Sequence, residues 1–188
     1  MGYADAVFRD LMRDRSKTLP ADPEAAFVQA LRVWHCNYAS LTSIGQHYQN
    51  LETLVVASYP DRDLEPIGSL SRLKYLSVLH MPGVTDLEPL GRLTNLHTLR
   101  LSTLPSWDSS GKVTEVISLR PLAVLPNLKH LELFGIRPAS ESLHELEEAP
   151  ALVSVRLSKY PKAEVTRYYG CSGVSDGFAP SPGVADWS

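Results

Sequence analysis

Cysteine is scarce in this chain: the 188 residues hold two, Cys36 and Cys171, far apart and differently flanked. Two thiols cannot build a disulfide framework, and neither sits in a CxxC or Cys/His metal spacing. Free thiols in a reducing compartment are therefore expected. Long apolar runs are missing as well; no stretch approaches the about 20 residues that a membrane helix needs. Asp5, Asp10 and Asp14 interrupt the apolar residues near the N-terminus, which makes that segment a poor signal peptide. Ala6 stands where a myristoylation signal has Ser or Thr. A cytoplasmic location without a membrane partner is the expectation. Positive charge is not in excess either. With a net charge of −3 the chain has no basic field to gather phosphate backbones, so nucleic acid is a disfavoured partner. There is no GxxxxGK[ST], no GxGxxG after a strand and no HExxH. Neither a cofactor nor a metal is expected.

What the chain does have is a repeat. The triplet apolar-x-x-apolar-x-apolar recurs as Leu51-Leu54-Val56, Leu73-Leu76-Val78, Leu96-Leu99-Leu101, Leu128-Leu131-Leu133 and Leu152-Val155-Leu157. Val28-Leu31-Val33 is a weaker first copy. Successive copies begin 23, 22, 23, 32 and 24 residues apart, from Val28 to Leu152. A second block keeps the same phase and reads SLTSIGQHYQN, DLEPIGSLSR, DLEPLGRLTN, SLRPLAVLPN and SLHELEEAPA. Two blocks in register over five intervals mark a solenoid, whereas one LxxLxL would mean nothing.

The physics of the unit follows from its spacing. The last two apolar residues of each triplet alternate with other residues, as a strand with one buried face requires. Such a short strand buries that face only when copies stack side by side into a parallel sheet. In the second block apolar residues recur three apart, as in Leu87, Leu90 and Leu93, which suits a short helical turn on the far side of the coil. Pro66, Pro89 and Pro121 share one phase there, where a turn begins and no backbone donor is needed.

The stretch LEPLGRLTNLHTLRL resembles the leucine-rich repeat family, in particular its short 22-residue class found in bacterial internalins and a phosphatase-regulatory subunit. The resemblance covers about residues 28 to 160. It implies an α/β solenoid of about six coils, with a parallel β-sheet on the concave face and short helical turns or loops on the convex face. The family usually continues LxxLxLxxN, its asparagine bonding backbone groups of the neighbouring coil. Here the corresponding residues are Cys36, Tyr59, Met81, Leu104, Ile136 and Tyr160, and four of them precede proline. Proline removes a donor and holds the residue before it extended, so these side chains are expected to join the core.

The organisation expected is an N-terminal helical cap over residues 1–27, repeats over 28–160 with an insertion at about 105–118, and a C-terminal cap and loose tail over 161–188. Ala6, Val7, Leu11 and Met12 carry the helical spacing of the first cap, and Asp22-Pro23 marks a helix start. Residues 28–34 fit either a first repeat strand or a longer helix through Ala26, Phe27, Ala30, Leu31 and Trp34. The insertion, PSWDSSGKVTEVI, has a Ser-Ser-Gly turn, and its Val113 to Ile117 part suits a short strand or a helical turn. Val165, Tyr168 and Tyr169 are candidates to close the core at the far end, and Phe178 and Trp187 give the tail the option of a docking arm.

Function class follows from which side chains leave the sheet. In this family the residues flanking the apolar strand positions face the concave side. Trp34, Tyr75, Leu79 and Phe134 are large apolar groups at such positions, and Arg32, Arg100 and Arg156 form one column with Glu132. Aromatics with arginines are the composition of protein-binding hot spots. His35 and His80 follow their strands at equivalent places, and His130 lies beside Glu132. Trp107 opens the insertion, either as its anchor or as a contact residue. These residues point to a non-enzymatic module that binds another protein through the concave sheet and the inserted loop, with an inhibitor or immunity-type role within that expectation. Two other classes stand beside it: an enzyme using the concave His/Arg/Glu groups on a small substrate, and a self-associating structural module. His130 and Glu132 lack an evident nucleophile, and Cys171 has too little chain around it to build a catalytic domain.

Overall fold

The computed structural model describes residues 7–177 and Pro180. Its strands are β1 (Val7–Met12), β2 (Val28–Trp34), β3 (Thr53–Ala57), β4 (Tyr75–Leu79), β5 (Thr98–Ser102), β6 (Thr114–Val116), β7 (His130–Phe134), β8 (Ile136–Pro138) and β9 (Ser154–Ser158). Short helices fill the returns: α1 (Thr42–His47), α2 (Glu65–Gly68), α3 (Pro105–Ser109) and α4 (Arg120–Ala123), with single 3₁₀ turns at Ala25–Phe27, Glu88–Arg92 and His144–Glu148. A longer helix, α5 (Lys162–Ser172), follows the last strand.

Seven strands form one parallel sheet in the order β1-β2-β3-β4-β5-β7-β9. Equivalent residues of successive repeats pair directly, so Leu54, Leu76, Leu99, Leu131 and Val155 stack behind the sheet and are almost fully buried. Ile67, Leu90, Leu122 and Leu146 of the convex turns close the same core from the other side. Pro66, Pro89 and Pro121 each occupy the first turn of their helical segment, as their phase predicts. Asp63 and Asp86 accept hydrogen bonds from the backbone N–H groups of Glu65 and Glu88, and Ser118 and Ser142 do the same for Arg120 and His144. Each return thus starts on a side-chain acceptor two residues before the donor it satisfies.

The N-terminal region departs from the expected helical cap. Residues 7–12 form strand β1, which extends the sheet beyond β2. In VFRDLM every second residue turns inward, a period of two that a helix cannot use. The open edge of β2 offers a ladder of backbone partners, and that tertiary gain outweighs the local helical spacing. Asp22-Pro23 leads only to the turn at Ala25–Phe27, with Asp22 accepting from the Glu24 N–H and from Arg9. Residues 28–34 are a repeat strand, which decides between the two readings of that stretch.

The work of the missing asparagine is done by the backbone. His35, Ser58, His80, Gly135 and Lys159 all have φ between 51 and 68°, one residue before the substituted position. Turned this way, the chain sends Ser58 N–H to Leu79 O at 2.7 Å, Tyr59 N–H to His80 O at 2.9 Å and His80 N–H to Ser102 O at 2.6 Å. A coil-to-coil ladder of main-chain bonds replaces a side-chain ladder. Tyr59, Met81 and Ile136 are then free to fill the core, as expected for apolar residues there, and Cys36 and Tyr160 pack against it partly buried, whereas Leu104 departs from the expectation and stays half-exposed outside it, where the insertion begins. Tyr59 and Tyr160 also donate their hydroxyls to the carbonyls of Asp63 and Ile136. Gly135 is the one glycine in the column. A Cβ there would lie 2.5 Å from Thr103 Oγ1, so close approach adds to the conformational demand.

At the far end α5 covers the last coil. Tyr168 of this helix is fully buried, and the Tyr169 hydroxyl donates to Val155 O at 2.6 Å. Ser175 then bridges to Ser154 beside β9. Glu164 on α5 accepts from the Leu143 N–H at 2.6 Å while Arg167 holds its other side, and Arg167 chiefly pulls the Glu164 pKa down to about 2. Depressed in the folded state, this carboxylate contributes stability above its ordinary value, which is lost as pH falls from about 4.5 toward 2. Glu164→Gln should therefore melt lower than wild type at pH 6, with the gap closing near pH 2.5. Equal gaps at both values would show that the carboxylate's charge does not hold the cap. Phe178 and Trp187, the candidate docking arm, lie outside the described residues.

Candidate protein-binding face

Register turns the outward residues of the strands into three rows across the concave sheet. The first runs Phe8-Ala30-Thr53-Tyr75-Thr98-His130-Ser154, the second Asp10-Arg32-Val55-Ser77-Arg100-Glu132-Arg156, and the third Met12-Trp34-Ala57-Leu79-Ser102-Phe134-Ser158. Neighbours within a row are one strand spacing apart, about 4.8 Å. A parallel stack of identical units makes such rows unavoidable, because each strand repeats the facing of the one before it.

The middle row is charged and largely self-paired. Arg32 holds Asp10 through two bonds, Nε to Oδ1 at 2.9 Å and a terminal nitrogen to Oδ2 at 2.5 Å. Glu132 sits between two arginines: Arg100 donates Nε to its Oε1 at 3.0 Å and Arg156 reaches its Oε2 at 3.2 Å. Only 2% of Glu132 is exposed, against 27% and 30% of the two arginine side chains. Burial by itself would lower the Arg100 pKa, but bonds to Tyr75 and Glu132 outweigh it and raise it. Glu132 is thus a buried counter-ion rather than a contact group, and the expectation that it faces a partner is corrected on that ground. Tyr75 is corrected likewise: only 7% exposed, it is engaged with Arg100.

The third row is the apolar one. Met12 is 51% exposed, and Trp34, Leu79 and Phe134 are each partly exposed. Arg156 lies over the Phe134 ring at 5.0 Å, and Trp34 meets His35 edge to face at 5.3 Å. His35 also shares a hydrogen bond with Ser58 at 3.1 Å. His130 is not a lone half-site, since its Nδ1 lies 2.8 Å from Ser154 Oγ. That hydroxyl is buried, however, and Glu132 serves the arginines instead of orienting the imidazole. Burial first, then Lys129 and His97, lower the His130 pKa below its ordinary value.

The insertion stands at the strand-exit edge of this face. Trp107 on α3 is not part of any row; it packs edge to face on His80 at 4.9 Å, with Lys112 Nζ 5.7 Å from its ring. Anchor is therefore its structural role. Further along, β6 pairs with β8 in a second, two-stranded parallel sheet. Sequence reasoning missed Phe8, Asp10 and Met12, which lengthen all three rows by one strand. The two-residue alternation of VFRDLM was the signal. Among the described residues there is no cluster of metal-ligating side chains and no helix long and apolar enough to cross a membrane.

No family model and no curated relative matches the chain. Solved structures do. An internalin of Listeria monocytogenes, InlF, is similar at 18% identity and a TM-score of 0.54, over 85% of this chain and 42% of that one. With the seven-strand stack already in view, that likeness is decisive for the fold. The chain has the leucine-rich repeat fold. Internalin C2 of the same organism is similar at 24% identity and a TM-score of 0.47, over 70% of this chain and 54% of that one. A mouse RP105/MD-1 complex is similar at 16% identity and a TM-score of 0.40, over 80% and 34%. The leucine-rich repeat chain spans roughly half or less of the length of these structures.

Proposed function

We propose that this leucine-rich repeat chain binds another protein through the exit-side apolar row of its concave sheet together with the insertion beside it. The supporting observation is the row Met12-Trp34-Leu79-Phe134, partly exposed apolar side chains lined up beside paired charges. Apolar anchors rimmed by arginine are what partner proteins bury. An inhibitor or immunity-type role, without catalysis and in the cytoplasm, completes the proposal; both cysteines are free, which fits a reducing compartment.

Charge reversal at Arg100 is a poor test, since it would set a second carboxylate against buried Glu132. Leu79→Ala with Phe134→Ala removes anchors only. In quantitative affinity capture from the native host, the doubly substituted protein should lose its partners by at least about 30-fold, equal to about 2 kcal/mol. Val124→Ala on the convex side should retain them. An unchanged set of captured proteins after both concave substitutions would remove this face from consideration.

A further inference from the structure

His80 shares its backbone conformation with its counterparts but alone combines it with two further features. Its backbone is pinned between coils, with φ at 65°, its N–H on Ser102 O and its carbonyl accepting from Tyr59 N–H. Its ring carries Trp107 of the insertion at 4.9 Å, nearly perpendicular at 79°. Its Nδ1 is buried and has no hydrogen-bond partner.

The neutral ring with its proton on Nε2 tolerates this seat, because Nδ1 is then only a buried acceptor. A proton on Nδ1 would create a charged donor with nothing to accept from it, a state that burial strongly disfavours. The groups around the ring do not offset that cost. Burial is the one cause acting on its titration, no charged group offsetting it, and Lys112 on the Trp107 ring adds positive charge. Among the described residues no carboxylate hydrogen-bonds it. Burial accordingly lowers the His80 pKa below its ordinary value. The remaining way to solvate an imidazolium is for Trp107 to leave and water to enter.

We propose that residues 105–113, between Leu104 and the paired strand β6, form a proton-released strap, seated through Trp107 on neutral His80 and lifting from the strand-exit edge when His80 is protonated. Its consequence rests on the protein-binding reading above: Leu79 of the apolar row directly precedes His80, so a lifted strap widens access to that row. A group whose pKa is lowered in the seated state favours seating fully above its free value, about 6.5. Seating is lost as pH falls from there through the seated value, so release belongs to mildly acidic conditions.

The test needs no partner, and its failure would leave the concave-face reading standing. With Trp34→Phe and Trp187→Phe, Trp107 is the one tryptophan left of three. Acrylamide quenching of its emission, followed from about pH 7.5 to about 4.5 across the ordinary imidazole range, should rise severalfold and reversibly while far-UV circular dichroism stays constant. His80→Asn, which tolerates positive φ without a titrating charge, should abolish the rise by giving a pH-independent signal. A rise that persists in His80→Asn, or no rise with the fold intact, overturns the strap. Independently of whether that variant folds, an NMR titration of His80 in the otherwise native chain giving a pKa at or above about 6.5 does the same.

Discussion

Gly68→Ala should destabilise the solenoid severely while Gly91→Ala barely moves it, although both glycines occupy the same phase of the repeat. A Cβ on Gly68 would lie 2.5 Å from Pro89 O and 2.9 Å from Pro89 Cβ. The first neighbour is backbone of the next coil and cannot step aside without spreading the stack. A Cβ on Gly91 would meet Pro121 O at 3.4 Å, a contact that a small adjustment accommodates. The next position in the column, Ala123, already carries that methyl group. Overpacking against fixed backbone costs about 3 kcal/mol, which lowers the melting temperature by about 6–12 °C in a chain of this size. For Gly91→Ala the better helical propensity of alanine offsets the tightness, leaving a change within about 1 kcal/mol. Thermal melts of the two variants decide it, and equal losses would mean that the convex turns do not pack as tightly as drawn.

Glu132→Ala should be the most damaging substitution on the concave face. It removes a carboxylate that is 2% exposed and leaves Arg100 and Arg156 facing each other across β7. Breaking a buried pair costs about 3–5 kcal/mol, and partial exposure of both arginines brings the expected loss nearer 2–3 kcal/mol. Glu132→Gln keeps the hydrogen-bond acceptor but loses the charge, so it should fall between alanine and wild type. Urea midpoints at about 0.1 and 1 M salt separate the causes, because screening relieves repulsion between the arginines. Wild-type stability for Glu132→Ala at low salt would mean that the triad contributes nothing to the fold.

Both substitutions act where the sequence was hardest to read. The repeat made the sheet, its facing and the apolar core legible, since a period of about 23 residues with LxxLxL inside it admits one way of burying leucine. The concave rows were legible too, because register in a parallel stack copies each position onto the next strand. Depth on that face was not. Glu132 and Tyr75 occupy outward positions of their strands, yet neighbours two coils wide enclose them, and no local pattern records how tall adjacent side chains stand. Asp10 and Met12 were hidden by a helical spacing that the edge of β2 overrules.

By itself, then, the sequence determined the leucine-rich repeat fold, the convex proline phase and the apolar filling by Tyr59, Met81 and Ile136 where the family has asparagine. Those are properties of periodicity, and periodicity is local. Only the tertiary structure decided that left-handed residues hand the asparagine's task to the backbone, that Arg100 and Arg156 share one buried counter-ion, and that Trp107 rests on His80. Each of these joins residues from different coils, and such pairings arise from the distance between stacked turns, which no single repeat contains.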